Sequence, residues 1–247
     1  MKKKLMIAAA VCLLAGCGKQ DQGSSGSGIA CRYVNYYDYS LPVPETEAAD
    51  NTYFEKTFFA GDSRMGSLFL YSDLKDSGAE IHYAESLSLW RIYDMKAEDT
   101  DASLYDLMLK TDRKYLYILI GINEVRSKDF SSWKKEAGSL IDEIREKHPG
   151  IVIYLMQSYR PRNITGLEGD QIKTQVDLLN QAIAELAAEK HVYFMNPESA
   201  LMDDTGAVRS DYVWDGLHLN VDGTKAFSEY IRTHAAKEEE YVKEICD

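Results

Sequence analysis

Cysteine and basic clusters are scarce in this chain of 247 residues, and each scarcity narrows the field. Of the four cysteines, Cys12, Cys17, Cys31 and Cys246, no pair has the spacing of a metal site, so no metal ligand set is read here. Lysine and arginine form no run beyond Lys2, Lys3 and Lys4, and the net charge is −12. An acidic surface repels phosphate backbones, which argues against nucleic acid as a partner. The longest apolar run, residues 5–15, falls short of the roughly 20 residues that cross a bilayer. No internal repeat is present, and no Gly-x-Ser-x-Gly nucleophile elbow.

What remains is enough for one domain with a sizeable core, since 45% of the residues are hydrophobic. The chain opens on an address. Three lysines precede the short apolar run, which ends in Leu14-Ala15-Gly16-Cys17. This resembles a bacterial lipobox, which implies cleavage after residue 16, lipidation of Cys17 and a membrane-anchored protein at the cell surface or in the periplasm. Stable anchoring by lipid takes two or more acyl chains. Residues 17–28, rich in glycine and serine, read as a flexible tether. Residues 29–55, with their tyrosines, acids, Pro42 and Pro44, read as an irregular extension whose tyrosines cover an apolar face. Residues 56–247 form the folded domain. Cys31 and Cys246 lie near its two ends; the sequence leaves open whether they bridge or stand apart.

From Lys56 onward, short apolar runs alternate with amphipathic stretches. Strands are expected at 57–60, 79–84, 115–120, 151–156 and 192–195. Helices are expected at 63–73, 103–110, 130–147, 170–190 and from Asn220 to about Glu240. Continuous apolar strands between amphipathic helices mean a parallel sheet covered on both faces. In such sheets, sites form beyond the carboxyl ends of the strands. That points to the loops at 61–63, 85–89, 121–126, 157–169 and 196–215.

Three of these stretches carry chemistry. Gly61-Asp62-Ser63 ends the first strand and delivers a serine to a helix start, where developing negative charge is favoured. A serine is a weak nucleophile and needs a base with an orienting group behind it. Of five histidines, only His218 lies in a glycine-containing loop with a carboxylate three residues earlier, Asp215-Gly216-Leu217-His218. Gly121-Ile122-Asn123-Glu124 follows the most apolar strand. The Asn123 amide and the Ser63 backbone N–H are candidate donors to an oxyanion, each worth about 3–4 kcal/mol in a transition state.

In their order and spacing these stretches resemble the SGNH hydrolases, or GDSL-type esterases, over roughly residues 56–234. Arg64 replaces the usual leucine of the first block and Glu124 the usual aspartate of the third; Asp215-Gly216-Leu217-His218 matches the fourth in full. The resemblance implies a flavodoxin-like three-layer α/β/α sandwich around a parallel sheet of about five strands, with neither metal nor cofactor. It implies Ser63 as nucleophile, His218 as base and Asp215 as its orienter. The family's second block contributes a glycine N–H to the oxyanion hole. The corresponding stretch here, residues 83–90, has no glycine, which leaves the backbone of Glu85 or Ser86 to supply it. Arg64, next to the nucleophile, is a candidate for substrate contact or for pairing with Glu124. The expected activity is hydrolysis of an acyl ester of a small molecule or glycan, short-chain or O-acetyl. A lipase, thioesterase or acyltransferase on the same triad is the alternative, as is a non-catalytic surface binding protein with a degenerate oxyanion hole.

Overall fold

Five segments form one wholly parallel sheet: β2 (Thr57–Gly61), β3 (Glu80–Tyr83), β4 (Tyr115–Leu119), β5 (Val152–Met156) and β6 (Tyr193–Met195). β1 (Cys31–Asn35) lies outside it. The spatial order is β3-β2-β4-β5-β6. The computed structural model describes residues 31–127, 129–236 and 238–246. Cys17, the signal segment and the tether expected at 1–28 lie outside them.

Side-chain alternation along the strands divides the core in two. Phe58, Ala60, Leu116, Ile118, Ile153 and Leu155 face one layer of helices, α3 (Leu104–Lys110), α4 (Ser131–Lys147) and α5 (Gly169–Lys190). Phe59, Tyr117, Leu119, Tyr154 and Met156 face the other, where α1 (Asn51–Phe54), α2 (Ser63–Tyr71), α6 (Glu198–Leu201) and α7 (Val221–Thr233) pack. This is the three-layer α/β/α sandwich that continuous apolar strands require. On the second face, Phe59, Tyr117, Tyr154 and Tyr193 stand in register across four strands, with ring centroids 4.8, 4.2 and 5.1 Å apart. Buried tyrosine hydroxyls need partners. Tyr53 supplies one, its hydroxyl 2.7 Å from that of Tyr117 and 3.2 Å from that of Tyr154.

The segment before β2 wraps the domain with a purpose at each contact. The Val43 N–H donates to Phe194 O (2.9 Å), covering the edge strand β6. The Thr46 and Ala49 N–H groups donate to Thr233 O and Arg232 O, carbonyls left free at the end of α7. Tyr37 and Tyr39 pack against Tyr193, so these two do cover an apolar face, whereas Tyr33 and Tyr36 are exposed. Two expectations are corrected. The extension expected to be irregular over 29–55 holds the strand β1 and the short helix α1, and the last long helix stops at Thr233, after which α8 (Glu238–Tyr241) leads into a strand, β7 (Val242–Cys246). β7 pairs antiparallel with β1, Cys31 opposite Cys246, and the two cysteines form a disulfide.

Candidate active site

Numbered within the parallel sheet alone, the strand order is 2-1-3-4-5, so the crossover direction reverses between β2 and β4. A crevice opens at such a point, beyond the strands' carboxyl ends. Ser63 sits there, half-buried, as the first residue of α2. Asp62 makes the turn possible. It extends the ladder (N–H to Leu119 O, 3.0 Å), and its side chain caps the helix at the Arg64 N–H. Gly61 is needed because a Cβ there would lie 2.6 Å from Leu119 O.

His218 arrives from the loop between β6 and α7. Val213 and Leu219 form an antiparallel bridge, and the Trp214 N–H donates to His218 O (3.0 Å), closing a tight turn with Gly216 at φ +88°. Within it, Asp215 Oδ1 accepts from the N–H groups of Leu217 (2.9 Å) and His218 (2.8 Å), while Oδ2 meets His218 Nδ1 at 2.7 Å. His218 Nε2 lies 2.9 Å from Ser63 Oγ. Burial works against the Asp215 carboxylate, but the bonds from the His218 N–H, the His218 ring and the Leu217 N–H outweigh it and bring its pKa down to about 2. The bonding pattern assigns the Nδ1–H tautomer, which leaves Nε2 to accept the serine proton. An imidazole held this way is set to draw a proton from Ser63 Oγ.

A cavity of about 290 Å³ opens over Ser63 and His218, lined also by Ser67, Tyr71, Tyr83, Glu85, Ser86 and Trp214. Two residues expected to lend backbone N–H groups to an oxyanion line this cavity. One is Ser63, at the start of α2. The other is Ser86, which lines the cavity with φ at +56°, the left-handed region that favours glycine. Serine here keeps the backbone turn that a glycine would make. Glu85 does not serve: its N–H donates to Glu98 Oε1 (3.2 Å). Asn123 holds the 85–89 loop, its Nδ2 donating to Leu87 O (2.7 Å), and is not among the residues that line the cavity. Next to it, Glu124 accepts the Leu89 N–H, so consecutive residues after β4 clamp this loop at two points.

Arg64 is corrected. Its side chain is wholly buried, lines no part of the cavity and forms no ion pair with Glu124, although its charge acts on that carboxyl. Its Nε and Nη2 donate to the two oxygens of Asp62 (2.9 and 2.8 Å), and Nη1 to Ser158 Oγ (2.6 Å). The adjacent Tyr159 hydroxyl donates to Leu217 O (2.7 Å). One buried polar chain therefore ties the serine turn to the histidine turn. Trp214 and Tyr83 were not singled out from the sequence; the position of Trp214 directly before Asp215 was the signal available for it.

Fold and site together define a class, a three-layer α/β/α protein in which a serine, a histidine and an aspartate form one hydrogen-bonded series at the sheet's carboxyl edge. The sequence model of the GDSL-like lipase/acylhydrolase family matches residues 77–226, more than half of the chain, and the chain belongs to that family of hydrolases. Solved structures agree in fold. A GDSL-like lipase from Bacteroides thetaiotaomicron is 16% identical with a TM-score of 0.53, covering 78% of this chain and 91% of its own. A protein assigned to the lipolytic G-D-S-L family from Desulfitobacterium hafniense is 14% identical with a TM-score of 0.56, over 73% and 99%. An acetyl xylan esterase is 14% identical with a TM-score of 0.50, over 71% and 96%. No functionally curated protein matches the chain.

Proposed function

We propose that this protein is a serine esterase acting outside the cytoplasm, anchored through a lipid on Cys17, that hydrolyses short-chain acyl esters, O-acetyl groups on carbohydrate among them. The observation that carries the reading is the unbroken chain Ser63 Oγ–His218 Nε2 and His218 Nδ1–Asp215 Oδ2, at 2.9 and 2.7 Å. Ser63 attacks the ester carbonyl as His218 takes its proton, and Asp215 holds the imidazolium. The N–H groups of Ser63 and Ser86 receive the oxyanion. His218 protonates the leaving alcohol, then activates the water that releases the acid from Ser63. The cavity, about 290 Å³, sits at the bottom of the roughly 300–1,000 Å³ range of small-molecule sites, which favours a short acyl group over a long one. The acetyl xylan esterase among its structural neighbours is consistent with a carbohydrate ester.

The decisive experiment is turnover of a short aryl ester with Ser63→Ala as control. The expected loss in kcat is several orders of magnitude with the fold intact. Undiminished turnover in the variant rejects the assignment. A strong preference for long chains in an acyl-length series favours a lipase. The anchor is tested separately: Cys17→Ala should release the protein from the membrane fraction.

A further inference from the structure

The cavity walls carry one formal negative charge, on Glu85, and no lysine or arginine among the described residues that line it. The Glu85 carboxylate is exposed and forms no ion pair among the described residues. Its wall of the cavity is negative in character. The Tyr83 hydroxyl beside it is pushed up by burial first, then by the charges of Glu98, Glu85 and Asp99. A cavity of about 290 Å³ is small beside the volume swept by a Debye length of about 8 Å, so a charge bound anywhere in it feels this carboxylate. On the histidine side stands Trp214, 67% exposed, its backbone tied to His218 O. His218 must hand its proton to the leaving oxygen, so the alcohol portion of an ester lies on the side where the indole waits. An exposed indole face attracts cations through its quadrupole.

From these features we propose that Glu85 and Trp214 make the site selective by charge, accepting esters of cationic alcohols in preference to neutral ones and turning away anionic ones. The inference rests on the esterase reading above. On a carbohydrate it means an ester borne by a free amino sugar rather than by a uronate or a sugar phosphate.

The test is a series of meta-substituted phenyl acetates carrying trimethylammonium, hydrogen or carboxylate, each rate corrected for its alkaline hydrolysis. The wild-type protein should favour the cationic over the anionic ester by about tenfold in kcat/KM. Glu85→Gln should reduce that ratio about fivefold, the effect of one charge acting across the cavity. Trp214→Ala should raise KM for the cationic ester more than for the neutral one. A ratio unchanged in Glu85→Gln, or a wild-type preference for the anion, overturns the proposal. Failure of the esterase reading looks different: phenyl acetate itself is not turned over, or Ser63→Ala is as active as the wild type. Charge selection is then read as the affinity of Ser63→Ala for phenyltrimethylammonium against benzoate by calorimetry, and equal affinities overturn the proposal on their own.

Discussion

Arg64 and Glu124 are the residues at which this chain departs from its family's first and third blocks, and both are buried. The Asp62–Arg64 pair has no water to fall back on. Replacing Arg64 by the family's leucine strands the Asp62 carboxylate, and loss of one partner of a buried pair costs about 3–5 kcal/mol. Arg64→Leu should lower the urea midpoint accordingly, and adding Asp62→Asn should recover part of the loss. Glu124 is a different case. Burial raises its carboxyl from 4.5 to about 7, helped by the Asp62 charge and opposed by the Leu89 N–H bond and the Arg64 charge. Its Oε2 has no hydrogen-bond partner among the described residues. The folded state holds this proton more tightly than the unfolded chain does. Its contribution to stability is therefore full below pH 4.5 and is lost as pH rises through about 7, by about 3 kcal/mol at most. Glu124→Gln keeps an acceptor for the Leu89 N–H, so denaturant titrations from pH 5 to 8 should lose this slope. Ser63, Asp215 and His218 were legible because Gly-Asp-Ser and Asp-x-x-His each concentrate their meaning in adjacent positions. The roles of Arg64 and Glu85 were not, because Ser158 and Glu98, which decide where Arg64 and the Glu85 N–H are spent, stand 94 and 13 residues away in sequence.

At the scale of elements, β2 and α2 act as one device, a strand that aims a serine and a helix that receives it. Gly61→Ala is the sharpest probe of the joint. Its methyl would meet a backbone oxygen at 2.6 Å, which cannot swing aside as a side chain would, so the end of β2 must part from β4. We expect a loss of about 1–3 kcal/mol, and a fall in ester kcat larger than in any equally destabilised variant remote from the site. Strands β2, β4, β5 and β6 were legible from sequence because parallel strands buried on both faces read as nearly unbroken apolar runs, while β3, the half-buried edge strand Glu-Ile-His-Tyr, carries a weaker signal. β1 and β7 were not. Their side chains, Cys-Arg-Tyr-Val-Asn and Val-Lys-Glu-Ile-Cys, are mostly exposed and have no period that marks a buried face. The overrun of the last helix has a local cause. After Thr233 the chain turns inward to bury Ala235 and Ala236, and the Ala236 N–H donates to the Tyr154 hydroxyl (3.1 Å), contacts that helical periodicity does not reveal.

For the whole molecule, the ribbon of β1 and β7 stands apart from the main sheet, and the bond between Cys31 and Cys246 spans 215 residues of sequence. In the chain-entropy view, a loop of that length is worth about 5 kcal/mol at most, and fraying of the ribbon alone brings the figure down. Reduction, or Cys31→Ser with Cys246→Ser, should lower Tm by several degrees and leave ester turnover at low temperature as it was, since neither cysteine lines the cavity. No change in Tm would show that the bridge guards only the ribbon. The bridge also alters what a cut in the backbone means. With residues 31 and 246 joined, everything between them is a closed ring of covalent bonds. A protease that nicks a surface loop between Ser63 and His218 opens the ring without dividing it, and both pieces, with the serine on one and the histidine on the other, stay held at matching concentration for re-pairing.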